Sequence, residues 1–381
     1  MAIVLVAVLM ASCGDDNGTK PMPDETAPGT ILDLTITDSM GTVLSLSWTA
    51  TGDDGEEGTA HQYDVRYSSA PVTGSNWDDA SVATGIGAPA AAGETETAII
   101  EDVAWWSRMY VGIKVVDEAG NWSGISNIVA ATPYPDPDAR FLVQSRDGVM
   151  QIDMDWNAEV LIPGNREVEV IDGHIYTGDN DVHEYDRAGV WVRDIDVPVG
   201  MGAWYFAALP GDRFLLMSNS SDSVRVVNGS GTVIANGALL PEPGANLQSM
   251  ESVVVGNTVI ISEDGQNHIM QMDLTTYAIS QFKDLSAIEG WLGAIDYHNG
   301  VYCLCQGERV WEFTESADPV MVAELPEDEY NITGAVIAGG YVFAVANFAG
   351  KLYRINTATG DVATLVEGLN YPQDIEFLPA P

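Results

Sequence analysis

The sequence predicts an all-β protein in two parts: a sandwich of about 100 residues, then a six-bladed β-propeller. Three observations carry this. Short runs of alternating apolar and polar residues, broken by Gly and Asp clusters, recur through residues 27–132. Beyond a Pro/Asp stretch at 133–139, the remaining 242 residues repeat a unit of about 40. The 38 Gly and 18 Pro, with few long helical patterns, supply the turns that so many strands need.

The sandwich opens with ILDLTI at 31–36. VLSLSW at 43–48 alternates strictly and puts Leu44, Leu46 and Trp48 on one face. Runs at 63–67, 97–100, 110–116 and 125–131 complete a set suited to two packed antiparallel sheets. The segments LSWTATGDDGEEGTAHQYDVRYS and YVGIKVVDEAGNWSGISNIVAATP resemble a bacterial fibronectin type III (immunoglobulin-like) domain, over about 105 residues. Trp48 falls at the family's core Trp, and 117–123 at the loop between its last two strands. The alternation Val111, Ile113, Val115 puts Met109, not Tyr110, at the usual tyrosine-corner position. The resemblance implies a spacer or binding module rather than a catalyst. It also brings Asp53, Asp54, Glu56 and Glu57 to the same end as Asp117, Glu118 and Asn121. Oxygens of Asp53, Asp54, Asp117 and Asn121 are candidate ligands for Ca²⁺, which takes 6–8. A solvated acidic loop end, with Asp117 and Asn121 fixing a turn, accounts for them equally.

Each repeat in 140–381 reads as an apolar run, a Gly turn, a second apolar run, a polar loop and a third run. The turn glycines are Gly173, Gly211, Gly256, Gly300 and Gly340, spaced by 38, 45, 44 and 40 residues. Such periods with several strands each signify propeller blades. Five copies leave runs at 141–144, 149–155 and 159–162 without an inner strand, and one lone run at 374–378. Joined, these make a sixth blade, closed by the C-terminal strand, and remove the edge an open ring would expose. The pattern resembles the NHL-repeat and gluconolactonase-like superfamilies. Hydrolase-like members hold a catalytic Ca²⁺ through a Glu, Asn and Asp set in the channel. That set finds no residue-by-residue match here, and His174, His183, His268 and His298 share no repeat position.

Aligning the blades gives one polar column. The second strand ends on Ser145, Asp179, Ser218, Glu263, Cys305 and Ala346, followed by Arg146, Asn180, Asn219, Asp264, Gln306 and Asn347. Asp179, Asn180, Asn219, Glu263, Asp264, Gln306 and Asn347 are therefore candidates for a ligand face. Polar turn residues would give the same column. Trp204 and Trp291, just before inner strands, are candidate stacking platforms for a sugar, or packing between blades. Asp153 to Asn157 mimics the start of a calcium loop but lacks its later Gly and Glu and alternates like a strand.

At the N-terminus, 2–12 is apolar or small and too short to span a bilayer. Met10-Ala11-Ser12-Cys13 resembles a bacterial lipobox, with Met10 where Leu is usual and no basic residue before the apolar run. The expectation is a signal peptide at 1–12, a lipid anchor on Cys13 and a Gly/Pro/Asp tether at 13–26. In the lipoproteins this segment resembles, a Gly after the Cys, here Gly14, is compatible with delivery to the outer membrane of a bacterial cell envelope rather than retention in the inner one. Cys303 and Cys305 lie two apart on a strand, about 7 Å, too far for a disulfide, and read as small buried hydrophobes.

A net charge of −41, from 15 Lys+Arg and 56 Asp+Glu, excludes an ordinary nucleic-acid binder. With only Lys20, Lys114, Lys283 and Lys351, the acidity suits a high-salt or calcium-rich exterior. G-x-S-x-G, H-E-x-x-H, P-loop and G-x-G-x-x-G motifs are absent. Two functions stay open. One is a non-enzymatic surface or periplasmic lipoprotein whose propeller binds a protein or glycan partner. The other is a Ca²⁺-dependent propeller hydrolase of lactones or esters. Converging channel carboxylates with a positioned His would overturn the first.

Overall fold

A computed structural model describes residues 24–164, 167–198, 205–218, 223–238, 251–263, 267–288, 290, 292–326 and 331–381, with the side chains of 218, 223, 238 and 263 left out. Cys13 and the signal segment, with Asn219, Asp264, Trp204, Trp291 and the Glu263 side chain, lie outside the described residues. The fold is all-β and divides into two compact units.

Unit 1 holds β1 (Thr35–Asp38), β2 (Leu44–Thr49), β3 (Gln62–Ser68), β4 (Ser81–Val82), β5 (Thr95–Ile100), β6 (Met109–Val116) and β7 (Val129–Ala131). They form two antiparallel sheets, ordered β1-β2-β5 and β4-β3-β6-β7. Period-two alternation turns Leu44, Leu46 and Trp48 inward, where they are buried with Tyr63, Val65, Val111, Ile113 and Val115. The Trp48 and Tyr63 rings meet edge to face at 5.2 Å. Met109 shares the buried face of β6, and Tyr110 lies on the other. That second face carries a cluster the sequence did not signal. Trp77 donates to Asp64 (3.0 Å), with Lys114 over its ring at 4.5 Å.

Among the described residues, unit 2 holds six four-stranded antiparallel sheets. The first contains β8 (Arg140–Ser145), β9 (Gly148–Asp153) and β10 (Ala158–Pro163). The second runs β11 (Glu167–Ile171), β12 (His174–Gly178), β13 (Val182–Tyr185), β14 (Trp191–Ile195). The third runs β15 (Tyr205–Leu209), β16 (Arg213–Ser218), β17 (Ser223–Asn228), β18 (Val233–Ala238). The fourth runs β19 (Ser252–Val255), β20 (Thr258–Glu263), β21 (His268–Asp273), β22 (Ile279–Asp284). The fifth runs β23 (Leu292–His298), β24 (Val301–Gln306), β25 (Arg309–Phe313), β26 (Val320–Glu324). The sixth runs β27 (Ile332–Ala338), β28 (Tyr341–Ala346), β29 (Lys351–Asn356), β30 (Asp361–Glu367). The last strand, β31 (Asp374–Leu378), joins the first sheet as its innermost member. Asp374 stands opposite Gln144, and Leu378 opposite Arg140. Each innermost strand lies against the next, and β31 lies against β11. The arrangement is propeller-like.

The turn glycines work as their spacing implies. Asp172-Gly173, Asn299-Gly300 and Gly339-Gly340 each join paired strands by two residues, both at positive φ. That is the type I′ geometry, whose twist suits a hairpin. Cys303 and Cys305 are fully buried free thiols, packed beside Val310 and Val342.

Unit 2 also takes in Ser39–Leu44 and Glu101–Ser107. Trp105, 3% exposed, enters a cluster with Phe141, Phe343, Leu352 and Ile375. Its ring lies 5.6 Å from Phe377, and its backbone N–H donates to the Gly339 carbonyl at 2.9 Å. A Cβ on Gly339 would lie 2.0 Å from the indole, so only glycine admits Trp105 there. Trp106 follows, with Arg354 stacked 4.8 Å over its ring.

Candidate functional site

The innermost strands line a central cavity of about 210 Å³. Glu169, Glu251, Asp296, Asp374 and Glu376 open onto it, among Ala207, Ala208, Ala294 and Ala335. Glu167 sits one pleat from Glu169 on β11, and β31 repeats that spacing with Asp374 and Glu376. Six carboxylates thus come from β11, β23, β31 and the residue before β19. The strands β15 and β27 contribute small residues, which leave the space open. Among the described residues lining the cavity there is no Lys, Arg or His.

Burial raises all six carboxyls, and mutual repulsion adds to the shift. Burial raises Glu251 well above the usual carboxylate range, and Asp374, Glu167, Glu169 and Glu376 raise it further. Glu167, Glu169 and Glu376 are raised well by burial first and by neighbouring acids second. Burial also pushes Asp374 up to about 7 and Asp296 up to about 6. Asp296 stays lowest because its two oxygens accept from the N–H groups of Tyr297 (2.7 Å) and Ile337 (2.6 Å). The second bond ties β23 to β27. Glu169, Glu251, Asp296 and Glu376 are only half-buried, so solvent reaches them along the channel.

The sequence-predicted positions fall elsewhere. Asp179 accepts from His183 (3.0 Å) and from the N–H of Asp181 (3.2 Å). Burial pushes its carboxyl up, but these bonds hold it below the ordinary range. Asn180 is exposed, while Gln306 and Asn347 are buried at 3% and 7% exposure. His183 is clasped between Asp179 and Asp194 (2.6 Å), away from the residues lining the cavity. The channel acids were missed because the aligned column followed strand ends. The available signal was an acid inside an apolar inner run, as in VEVI and DIEFL.

At the acidic end of unit 1, the structure gathers a different set from the one the spacing suggested. Asp24, Asp53 and Glu118 bring carboxylate oxygens within 4.8 Å of one another, the only such trio among the described residues. Asp53 is raised by burial first, then by Glu118 and Asp117. Asp117 is occupied with its own turn: Asn121 donates to it through both its backbone N–H (2.7 Å) and its side chain (2.8 Å). Asp54 sits in a tight turn, bridged to Glu57. Of the expected ligands only Asp53 stands in the trio. The channel acids are not among such trios.

No family model matches the chain. It is 31% identical over 128 residues to calcium-activated chloride channel regulator 1 of Homo sapiens, covering 32% of this chain. The chain spans only 14% of that protein's length. A chain of the nidogen–laminin complex matches with a TM-score of 0.51 at 10% identity, over 63% of this chain and 98% of that one. A protein of unknown function from Bacteroides thetaiotaomicron matches with a TM-score of 0.50 at 13% identity, over 94% and 96%. Virginiamycin B lyase from Staphylococcus aureus gives 0.44 at 14% identity, over 73% and 89%. At these identities the likeness is one of fold alone, all-β and propeller-like.

Proposed function

We propose that the chain is a non-enzymatic binding protein of the bacterial cell envelope, held by lipid on Cys13. In this reading unit 1 is a fibronectin type III spacer, and unit 2 a six-bladed propeller closed by β31. Its acid-lined channel receives a cationic group of a protein or glycan partner. The observation that carries the reading is the set of Glu169, Glu251, Asp296, Asp374 and Glu376 around one cavity, with Glu167 coupled to Asp374 beside it and no base among the described lining residues. A cation entering there relieves repulsion that protons otherwise relieve. The anchor makes a separate prediction: the full-length precursor labels with fatty acid in bacterial cells, and Cys13→Ala abolishes the label and releases the protein from membranes.

The second reading is the Ca²⁺-dependent hydrolase of lactones or esters, and the same acids favour it. The dispersed oxygens and the positioning of His183 outside the channel weigh against it. One experiment separates the two: calorimetric titration of Ca²⁺ and of spermine into the chelator-stripped whole chain, beside a lactone and ester screen. The binding reading expects spermine to bind, the triple variant E169Q/E251Q/E376Q to lose it, and no turnover. Calcium-dependent turnover lost in that variant would establish the hydrolase instead. Calcium heat abolished by D53N/E118Q alone would assign the ion to unit 1.

A further inference from the structure

We propose that the cleft between the second and third sheets of unit 2 binds the terminal residue of a neutral glycan. It lies outside the channel and stands whether or not the channel takes a cation.

The cleft encloses about 350 Å³, at the small end of the range for ligand pockets. Strand register builds its wall. Tyr176, Glu184 and Arg193 stand directly opposite one another across β12, β13 and β14, so they share one face of the second sheet. His174, two residues before Tyr176 on β12, joins that face, and the two rings lie 6.4 Å apart at a 32° tilt. Phe214 of β16 meets Tyr176 at 5.2 Å and floors the cleft from the third sheet.

The polar groups are held in place by a buried acid. Glu184, 5% exposed, accepts from His174 Nδ1 (2.9 Å) with one oxygen and from Arg193 with the other. Arg193 reaches on to Asp212 of the third sheet and to the Gly229 carbonyl (3.3 Å). Gly229 is required for this: a Cβ there would lie 1.9 Å from the Asp212 carboxylate. With Nδ1 committed to Glu184, His174 presents Nε2 as an acceptor. Burial and the nearby Glu184 push the Tyr176 hydroxyl up to about 12, so it remains a donor.

This chemistry selects its ligand. Asp172, Glu184 and Asp212 against the single Arg193 repel phosphate, sulfate or uronate. Arg193 is already bonded across Glu184 and Asp212, so Asp172 is the acid of the cleft that it does not hold, and an ammonium group is the competitor the test must exclude. What remains is a polyhydroxyl ligand with an apolar ring face. The exposed His174 ring, backed by the buried Tyr176 and Phe214, takes the C–H face, and His174, Tyr176 and the exposed Asp172 take hydroxyls.

The test uses the whole chain and saturation-transfer NMR with methyl glucoside, methyl galactoside, methyl mannoside and N-acetylglucosamine. At least one should bind in the millimolar range. His174→Ala, at an exposed ring, and Gly229→Ala, which displaces Asp212, should each weaken it by about tenfold or more. The channel variant E169Q/E251Q/E376Q should leave it unchanged, so a failed channel reading and a failed sugar reading are distinguishable. Absence of binding to all four sugars overturns the proposal. So does binding that survives His174→Ala, or preferential binding of a lysine peptide at this cleft.

Discussion

Melting temperature should fall as pH rises from about 5 to 8 in the absence of added cations. The acids around the channel carry folded-state pKa values above the ordinary 4 or so: Asp296 at about 6, Asp374 at about 7, and Glu167, Glu169, Glu251 and Glu376 well raised. Through that window the folded chain binds more protons than the unfolded one, so stability declines with pH. The stabilisation is complete below the unfolded pKa values and is lost as pH passes the folded ones. The loss is on the order of a few kcal/mol, a large share of a marginal total. Below about pH 4 the sense reverses. Asp33, lowered by the Thr49 hydroxyl, and Asp273, lowered by the Thr276 N–H, then lose their bonds. E169Q/E376Q keeps two channel groups neutral at every pH and should raise the melting temperature at pH 8 but not at pH 4.5. General charge repulsion is separated by D79N/E94Q, which removes two exposed charges of the same sign. A melting curve that is flat or rising across the window, or equal effects of the two double variants, would remove the argument.

The largest effect of a single substitution should come from Trp105→Ala. Truncating a fully buried indole among Phe141, Phe343 and Phe377 should cost about 3–5 kcal/mol. Gly339→Ala approaches the same lesion from the other side. Its Cβ occupies the indole's place on a backbone at φ 55°, and about 2–4 kcal/mol should be lost. Chemical denaturation of the whole chain, followed by near-ultraviolet dichroism, reads both. If Trp105→Ala melts within about 1 kcal/mol of the parent, the segment Glu101–Ser107 contributes little to unit 2. Conversely, residues 140–381 expressed alone lack Trp105 and should expose Tyr341, Phe343 and Trp156 to solvent.

Much of the fold was legible because it is written locally. Strict alternation at 43–48 placed Trp48 in the core of unit 1. Gly173, Gly211, Gly256, Gly300 and Gly340 all carry positive φ at their hairpins. The run at 374–378 pairs where its lack of partners implied. The site was not legible in the same way. Its acids sit singly or in pairs on four separated stretches, and only the ring brings them together. A column taken at strand ends therefore found turn residues, such as Asp179 serving its own loop. The trio Asp24, Asp53 and Glu118 was missed for a related reason. Hydrogen bonding inside the turn claims Asp117 and Asn121, while Asp24 arrives from the segment before β1. Trp105 was hidden because its partners, Gly339 and Phe377, lie far along the chain.

The seam between β8 and β31 bears on how the chain matures. On the ribosome β31 follows the other described strands of unit 2, so the first sheet stays one strand short while the other described sheets are made. Until Asp374 reaches Gln144, both β8 and the innermost strand of the sixth sheet, β27, present unpaired or uncovered surface. A nascent or truncated chain is thus a sticky one, apt to borrow the missing strand from a neighbour. The solubility of the nascent chain therefore depends on residues 374–378, and a stop codon before them would be felt as loss of solubility before any loss of binding.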